Sequence, residues 1–243
     1  MEDAAILQGL NEPQTQAVVS DASQALILAG AGSGKTKVLV HRIAWCIHTG
    51  QSLSSGILAV TFTNKAAAEM RSRIQELLCR PVDGMWVGTF HGVAHKLLRL
   101  HWKEIGLKES FQIIDSEDQI RVLRRIIRDL ELDEGEWSPK EVQLKINEWK
   151  EKGLRANKIE DLNDRAEDVI RKIYINYEDL CNRSALVDFA ELLLRAYELW
   201  VSSPTLLANY RDRFRHIMVD EFQDTNWLQY MWLKTLTGDS GNL

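Results

Sequence analysis

Ala29-Gly30-Ala31-Gly32-Ser33-Gly34-Lys35-Thr36 lies between an apolar run, Ala25 to Leu28, and a helical pattern carried by Val38, Leu39, Ile43 and Ile47 as far as Thr49-Gly50. An apolar strand, a glycine-rich turn and a helix make the setting in which a loop cradles phosphate. Its backbone wraps close to an anion, successive N–H groups and a helix N-terminus point at it, a lysine adds a point charge, and a hydroxyl reaches Mg²⁺. Lys35 and Thr36 fill the last two places, so a nucleoside triphosphate is the expected ligand, with Ala25 to Leu28 as the buried strand that feeds the loop. The usual pattern opens on glycine and this loop opens on Ala29, a position that carries none of the charge chemistry.

Composition bounds the rest. A chain of 243 residues that is 45% hydrophobic holds one large domain or two ordinary ones around a packed core. Cys46, Cys79 and Cys181 are odd in number, far apart and form no Cys-x-x-Cys pair, so neither a disulfide framework nor a zinc site is indicated, and small buried thiols in a reducing cytosol are expected. The N-terminus is acidic, and no stretch has the length of a membrane span, so a soluble, cytoplasmic protein is expected. A net charge of −5 argues against binding nucleic acid through bulk charge, and any such attraction must come from local basic surfaces.

Along the chain, Asn11 with Gln14 three residues on reads as the cap of a helix that runs to about Val19. Ile57 to Phe62 is a second strand, after which Asn64 caps a helix from Lys65 to about Leu78, and Met85 to Thr89 is a third strand. From His91 to Arg213 the pattern is helical only, over about 91–104, 116–131, 138–151, 158–182, 186–201 and 204–213, with Ser116 and Gln119 as a capping box and Pro139 and Pro204 near helix starts. His216 to Val219 returns as a fourth strand and delivers Asp220-Glu221 at its end. The predicted organisation is therefore an α/β domain over 1–90, a helical insertion over 91–213, and a return to the sheet over 214–243.

In an open parallel sheet, ligands bind beyond the carboxyl ends of the strands. Each strand here ends in polar or glycine residues: Gly30 to Thr36, Thr61 to Asn64, Gly88 to His91, and Asp220 to Asp224. All four sets are expected along one edge. Adjacent carboxylates at a strand end point in different directions, so Asp220 suits the Mg²⁺ shell while Glu221 reaches an in-line water as base or water-positioner. A phosphate loop with such a pair implies hydrolysis.

Leu10-Asn11-Glu12-Pro13-Gln14, the loop from Ala29 to Thr36, Ala59-Val-Thr-Phe-Thr-Asn-Lys-Ala66, Gly88-Thr-Phe-His91 and Val219-Asp-Glu-Phe-Gln-Asp-Thr225 resemble, in order and spacing, successive motifs of superfamily 1 DNA helicases of the UvrD/Rep/PcrA type. The resemblance covers essentially the whole chain and implies a RecA-like P-loop NTPase domain interrupted by a helical subdomain. It implies ATP and Mg²⁺ as cofactors. Gln14 would read the adenine edge beside the loop residues Ala29, Gly30, Ala31, Gly32, Ser33 and Gly34. Lys35 would sit on the β and γ phosphates, Thr36 and Asp220 on Mg²⁺, and Glu221 would activate water. For DNA it points to Thr61, Phe62, Thr63 and Asn64, and to Thr89, Phe90 and His91.

Hydroxyls and amides at strand ends can bind phosphates, and an exposed aromatic can stack a base; core packing for Phe62 and a satisfied helix-start role for His91 stand as alternatives. Arg121, Arg124, Arg125 and Arg128 share one side of the 116–131 helix, either as a backbone-binding stripe or as a solvated face paired with Glu117 and Asp129. Trp137, Trp149 and Trp200 read as core or interface anchors.

Members of this family continue well past a stretch corresponding to Gly238 to Leu243, with a third motif, a second RecA-like domain and phosphate-stabilising arginines. The expectation is the N-terminal ATP-binding part of a 3′–5′ DNA helicase acting on single-stranded DNA and single-strand/duplex junctions in repair and replication, with DNA repair proteins as partners and no membrane. Two alternatives stand beside it: a nucleotide- and DNA-binding module without unwinding activity, and the helicase part of a helicase–nuclease.

Overall fold

A computed structural model of the chain describes residues 2–30, 32–159 and 165–238. The described residues divide into two compact units, one drawn from 2–93, 203–225 and 233–238, the other from 94–202 and 226–232.

The first unit is built on a parallel sheet. Strand β1 (Ile57–Thr61) lies between β2 (Trp86–Thr89) and β5 (His216–Val219). All five residues of β1 are buried, which is why its sequence is apolar at nearly every position instead of alternating. Helix α3 (Lys35–His48) and helix α4 (Asn64–Leu78) contribute Val40, Ile43 and Ile47 and Met70 and Ile74 to one apolar cluster that also takes in Ile57, Ala59, Val82, Met85 and Val87. Fully buried side chains such as Ile43 and Ile74 stabilise by about 1.5–3 kcal/mol each. The unit also carries helices α1 (Glu2–Leu7), α2 (Glu12–Val19) and α10 (Pro204–Arg213). The expected cap of α2 is a full capping box: Gln14 N donates to Asn11 Oδ1 at 3.0 Å, and Asn11 N donates to Gln14 Oε1 at 3.1 Å.

One expected strand is absent. Residues 25–28 have no regular structure, and Leu26 and Leu28 are 69% and 84% exposed. A strand apolar at every position needs both faces covered and a neighbour to pair with. Among the described residues nothing pairs with this segment or covers it, so the loop at Ala29 is fed by extended chain and the sheet has three strands rather than four.

The second unit is helical, with α6 (Ser116–Asp129), α7 (Pro139–Glu151), α8 (Arg165–Ser184) and α9 (Phe189–Ser202); α5 (Phe90–Leu100) leads into it and α11 (Trp227–Thr237) begins in it. Leu123, Ile126 and Ile127 of α6, Val142, Ile146 and Trp149 of α7, and Ile173, Tyr174 and Tyr177 of α8 form its core. It is not helical throughout: β3 (Gln112–Ile113) and β4 (Leu186–Val187) pair in parallel, two-residue strands too short to show a periodicity. The helix expected from 158 starts at Arg165, after a single 3₁₀ turn at Ala156–Lys158; residues 160–164 lie outside the described residues.

Three local readings are corrected by backbone geometry. Thr63 rather than Asn64 caps α4, its hydroxyl accepting from Ala66 N, and Asp115 rather than Ser116 caps α6, accepting from Asp118 N. In each case the polar residue one place earlier holds the extended conformation that capping requires. Cys79 is exposed, ending α4 in the left-handed region with φ 49, whereas Cys46 and Cys181 are buried as expected. Pro139 and Pro204 open their helices. Trp149 and Trp200 are buried and Trp137 packs on the core, as anchors should.

The architecture is mixed α/β, small parallel sheets with a helix-rich insertion, as in a RecA-like P-loop fold with a helical subdomain. No helix among the described residues is long and apolar enough to cross a membrane.

Candidate active site

Register sets the site. β1 pairs residue for residue with both neighbours, so that Thr61 lies opposite Thr89 and Val60 opposite Val219. The next residue after β5 stays on the ladder: Asp220 N donates to Val60 O at 2.9 Å. The three strands thus end level, and Thr61, Thr89 and Asp220 stand side by side along one carboxyl edge.

A side-chain hydrogen bond joins the phosphate loop to this edge. Thr36 in the first turn of α3 donates its hydroxyl to both carboxylate oxygens of Asp220, at 3.2 and 3.4 Å. Burial pushes the Asp220 carboxyl above its ordinary value, and the adjacent Glu221 pushes the same way, while the Thr36 hydrogen bond and Lys35 oppose them. A hydroxyl and a carboxylate in contact are hard oxygen donors of the kind Mg²⁺ takes, and such a site uses one or two protein ligands with phosphate and water completing the shell.

Gly34 precedes α3 in the left-handed region, φ 88, and Gly32 does the same at φ 73. At Gly34 a Cβ would stand 3.1 Å from the Gln14 amide nitrogen, so glycine answers both the conformation and the close approach. Lys35 Nζ donates to the carbonyls of Ala29 and Gly30, at 3.1 and 3.2 Å, and Ser33 Oγ donates to Gly30 O at 2.6 Å. A cation held by neutral carbonyls at the mouth of a loop is placed to exchange them for an anion. Ala31 lies outside the described residues.

Gln14 is fixed at both ends. Its oxygen serves the α2 capping box, and its Nε2 donates to Ser33 O at 3.0 Å. Three further contacts secure the N-terminal segment to α3: Lys37 Nζ donates to Gly9 O, Arg42 to Val18 O, and buried His41 Nδ1 meets Ile6 O. These contacts have no sequence signature, because each joins a side chain to a backbone carbonyl.

The residues expected to face DNA fall into two kinds. Thr61 is buried and Phe90 is buried, whereas Thr63 and Asn64 are exposed and Phe62, Thr89 and His91 are half-buried. Phe62 meets Phe90 edge to face at 5.7 Å. Thr63 and Thr89 use their hydroxyls to cap helix starts, accepting from Ala66 N and Gly92 N. Burial holds His91 below the usual histidine value. The arginine stripe of α6 is exposed and ion-paired along its length: Arg121 with Glu117 and Asp118, Arg125 with Asp129, Arg124 and Arg128 with Glu134.

A family profile described as the UvrD/REP helicase N-terminal domain matches residues 10–243. The chain belongs to the UvrD/REP helicase family. Within that family it is 51% identical over 243 residues to the DNA helicase II of Salmonella typhimurium (strain LT2) and, over the same length, 51% identical to that of Escherichia coli (strain K12); all of this chain and 34% of each relative is covered. A protein described as ATP-dependent DNA helicase PcrA from Leuconostoc citreum is 40% identical over 240 residues, 98% of this chain and 32% of its own. The chain therefore spans about a third of the length of these UvrD/REP relatives.

Proposed function

We propose that this chain is the ATP-binding N-terminal part of a 3′–5′ DNA helicase, a motor on single-stranded DNA that also engages single-strand/duplex junctions and serves DNA repair and replication in the cytoplasm. The observation that carries this reading is the Thr36–Asp220 contact at the level strand ends, which couples a phosphate loop to an acidic pair. Identity of 51% to proteins described as DNA helicase II supports the choice of motor. The segments 1–90 and 214–243 are proposed as one ATP-binding domain and 91–213 as its helical insertion.

Each site residue then has a task. Lys35 leaves the Ala29 and Gly30 carbonyls for the β and γ phosphates, which the N–H groups of the loop from Ala29 to Thr36 surround. Thr36 and Asp220 hold Mg²⁺, which when bound supplies charge neutralisation at the phosphate oxygens. Glu221 orients an in-line water and takes its proton; the water oxygen bonds to the γ phosphorus, and the bond to the β-phosphate oxygen breaks with its electron pair leaving on ADP. Gln14 turns its amide to the adenine edge. Thr61, Phe62, Thr63, Asn64, Thr89, Phe90 and His91 form the DNA side, where exposed Thr63 and Asn64 suit phosphate contacts and Phe62 offers a ring to a base.

Glu221→Gln should keep nucleotide affinity and lose turnover, because a group acting only in the transition state contributes to kcat alone. Steady-state ATP hydrolysis with and without single-stranded DNA separates a motor from a binding module. Strong stimulation supports the motor; binding without turnover in the full-length polypeptide supports the module.

A further inference from the structure

Glu221 is one of four described non-glycine residues with positive φ, at φ 52 and ψ 45. A left-handed glutamate is strained, and such strain persists only where its surroundings hold it. It turns the chain directly into one 3₁₀ turn, Phe222–Asp224, and that turn folds the Gln223 side chain back over the preceding residue. Gln223 Nε2 donates to Glu221 Oε2 at 2.5 Å, and the same nitrogen lies 3.4 Å from Asp224 Oδ2. A primary amide nitrogen has two protons, and both neighbours are acceptor-only carboxylates, so the amide must face them through nitrogen.

We propose that Gln223 is a positioning residue for Glu221: its amide fixes the direction of the Glu221 carboxylate and shields it from Asp224. This rests on the role given to Glu221 above. Without the amide, two carboxylates three positions apart on a tight turn repel, and the Glu221 side chain, on a strained backbone, rotates freely. Misplacing a reacting group by about 1 Å costs on the order of 10²-fold in rate. Gln223 is itself exposed, so its replacement removes an orienting contact and no core packing.

The test uses the full-length polypeptide and four variants: Gln223→Met, Gln223→Glu, Glu221→Gln, and Gln223→Met with Glu221→Gln. Gln223→Met should lower kcat for ATP about tenfold or more, within the ~10²-fold range for a misplaced group, with KM and ADP affinity held within about twofold. Gln223→Glu, which adds a third carboxylate, should be at least as slow. Binding of ADP with aluminium fluoride, which mimics the phosphoryl group in flight, should weaken in Gln223→Met while binding of ADP alone does not. In the Glu221→Gln background, Gln223→Met should change nothing further, because it acts through a carboxylate no longer present. Full turnover in Glu221→Gln overturns the base assignment and this inference together. A dead Glu221→Gln beside an unimpaired Gln223→Met, or additive losses in the double variant, overturns the inference alone.

Discussion

The Thr36 hydroxyl donates to the Asp220 carboxylate across 184 residues of sequence, and this contact joins the phosphate loop to the end of β5. Between them in sequence lie β1, β2 and the helical unit, and β1 keeps parallel register with both of its neighbours.

Removing either partner should separate affinity for metal from affinity for nucleotide. Asp220→Asn and Thr36→Val should each weaken Mg²⁺-dependent binding of a fluorescent ATP analogue while leaving the metal-free binding near that of the parent chain. Each replacement removes one of the two protein oxygens proposed to hold Mg²⁺, so the metal-dependent part should fall by roughly tenfold or more. Equal loss with and without Mg²⁺, measured by titration in EDTA, would contradict the assignment.

The N-terminal segment should report on the loop. Gln14→Ala loses the Ser33 contact and half of the α2 capping box, so adenine nucleotides should bind more weakly and discrimination of ATP from GTP should shrink. Asn11→Ala removes the cap alone and should cost about 1 kcal/mol of stability with a smaller effect on nucleotide choice. Competition titrations with both nucleotides distinguish the two.

Leu28→Ser tests the unpaired segment directly. At 84% exposure the substitution should change unfolding free energy by no more than about 0.5 kcal/mol. The buried strand that the sequence suggests would instead lose several kcal/mol, on the order of 2–5 for a deleted core leucine. Urea unfolding of this chain decides between them.

The helical unit should show a defined acid sensitivity. Buried Lys150 contacts Asp188 at 2.6 Å and Glu191 at 2.9 Å, while Arg155 and Arg195 reach the other Glu191 oxygen. Burial pushes Glu191 upward, but the three cations outweigh it and hold its carboxyl well below the ordinary value of 4.5. The unfolded chain therefore binds more protons in this window, and the stability that Glu191 contributes is present above pH 4.5 and lost as pH falls through the folded value. Glu191→Gln should destabilise by about 3–5 kcal/mol at neutral pH, because it strands buried cations, and the gap from the parent should narrow in acid. Chemical unfolding across that range measures it.

Much of the site was legible from local pattern. The loop from Ala29 to Thr36 announces itself because phosphate binding needs glycine, lysine and a hydroxyl at fixed spacing, and Asp220-Glu221 announces itself as an acidic pair at the end of an apolar run. The starts of α6, α7 and α10 were readable to within a residue, whereas those expected at 158 and 186 fall at Arg165 and Phe189; the misplaced caps at Asn64 and Ser116 each lie next to another capping side chain, so that only the backbone angle chooses between them. β3 and β4 were invisible because two residues carry no period.

By itself the sequence determined the three strands of the main sheet, most of the helices, their order and the chemical inventory of the strand ends, since these follow from periodicity and residue type over a few positions. Tertiary structure alone decided which of those groups touch. It set Thr36 on Asp220 and Gln14 on Ser33, and it folded Gln223 over Glu221. It also left Ala25 to Leu28 outside the sheet. The reason is physical: a strand exists only when a neighbour accepts its hydrogen bonds, and a contact over 184 residues depends on register and closure that no local window of sequence contains.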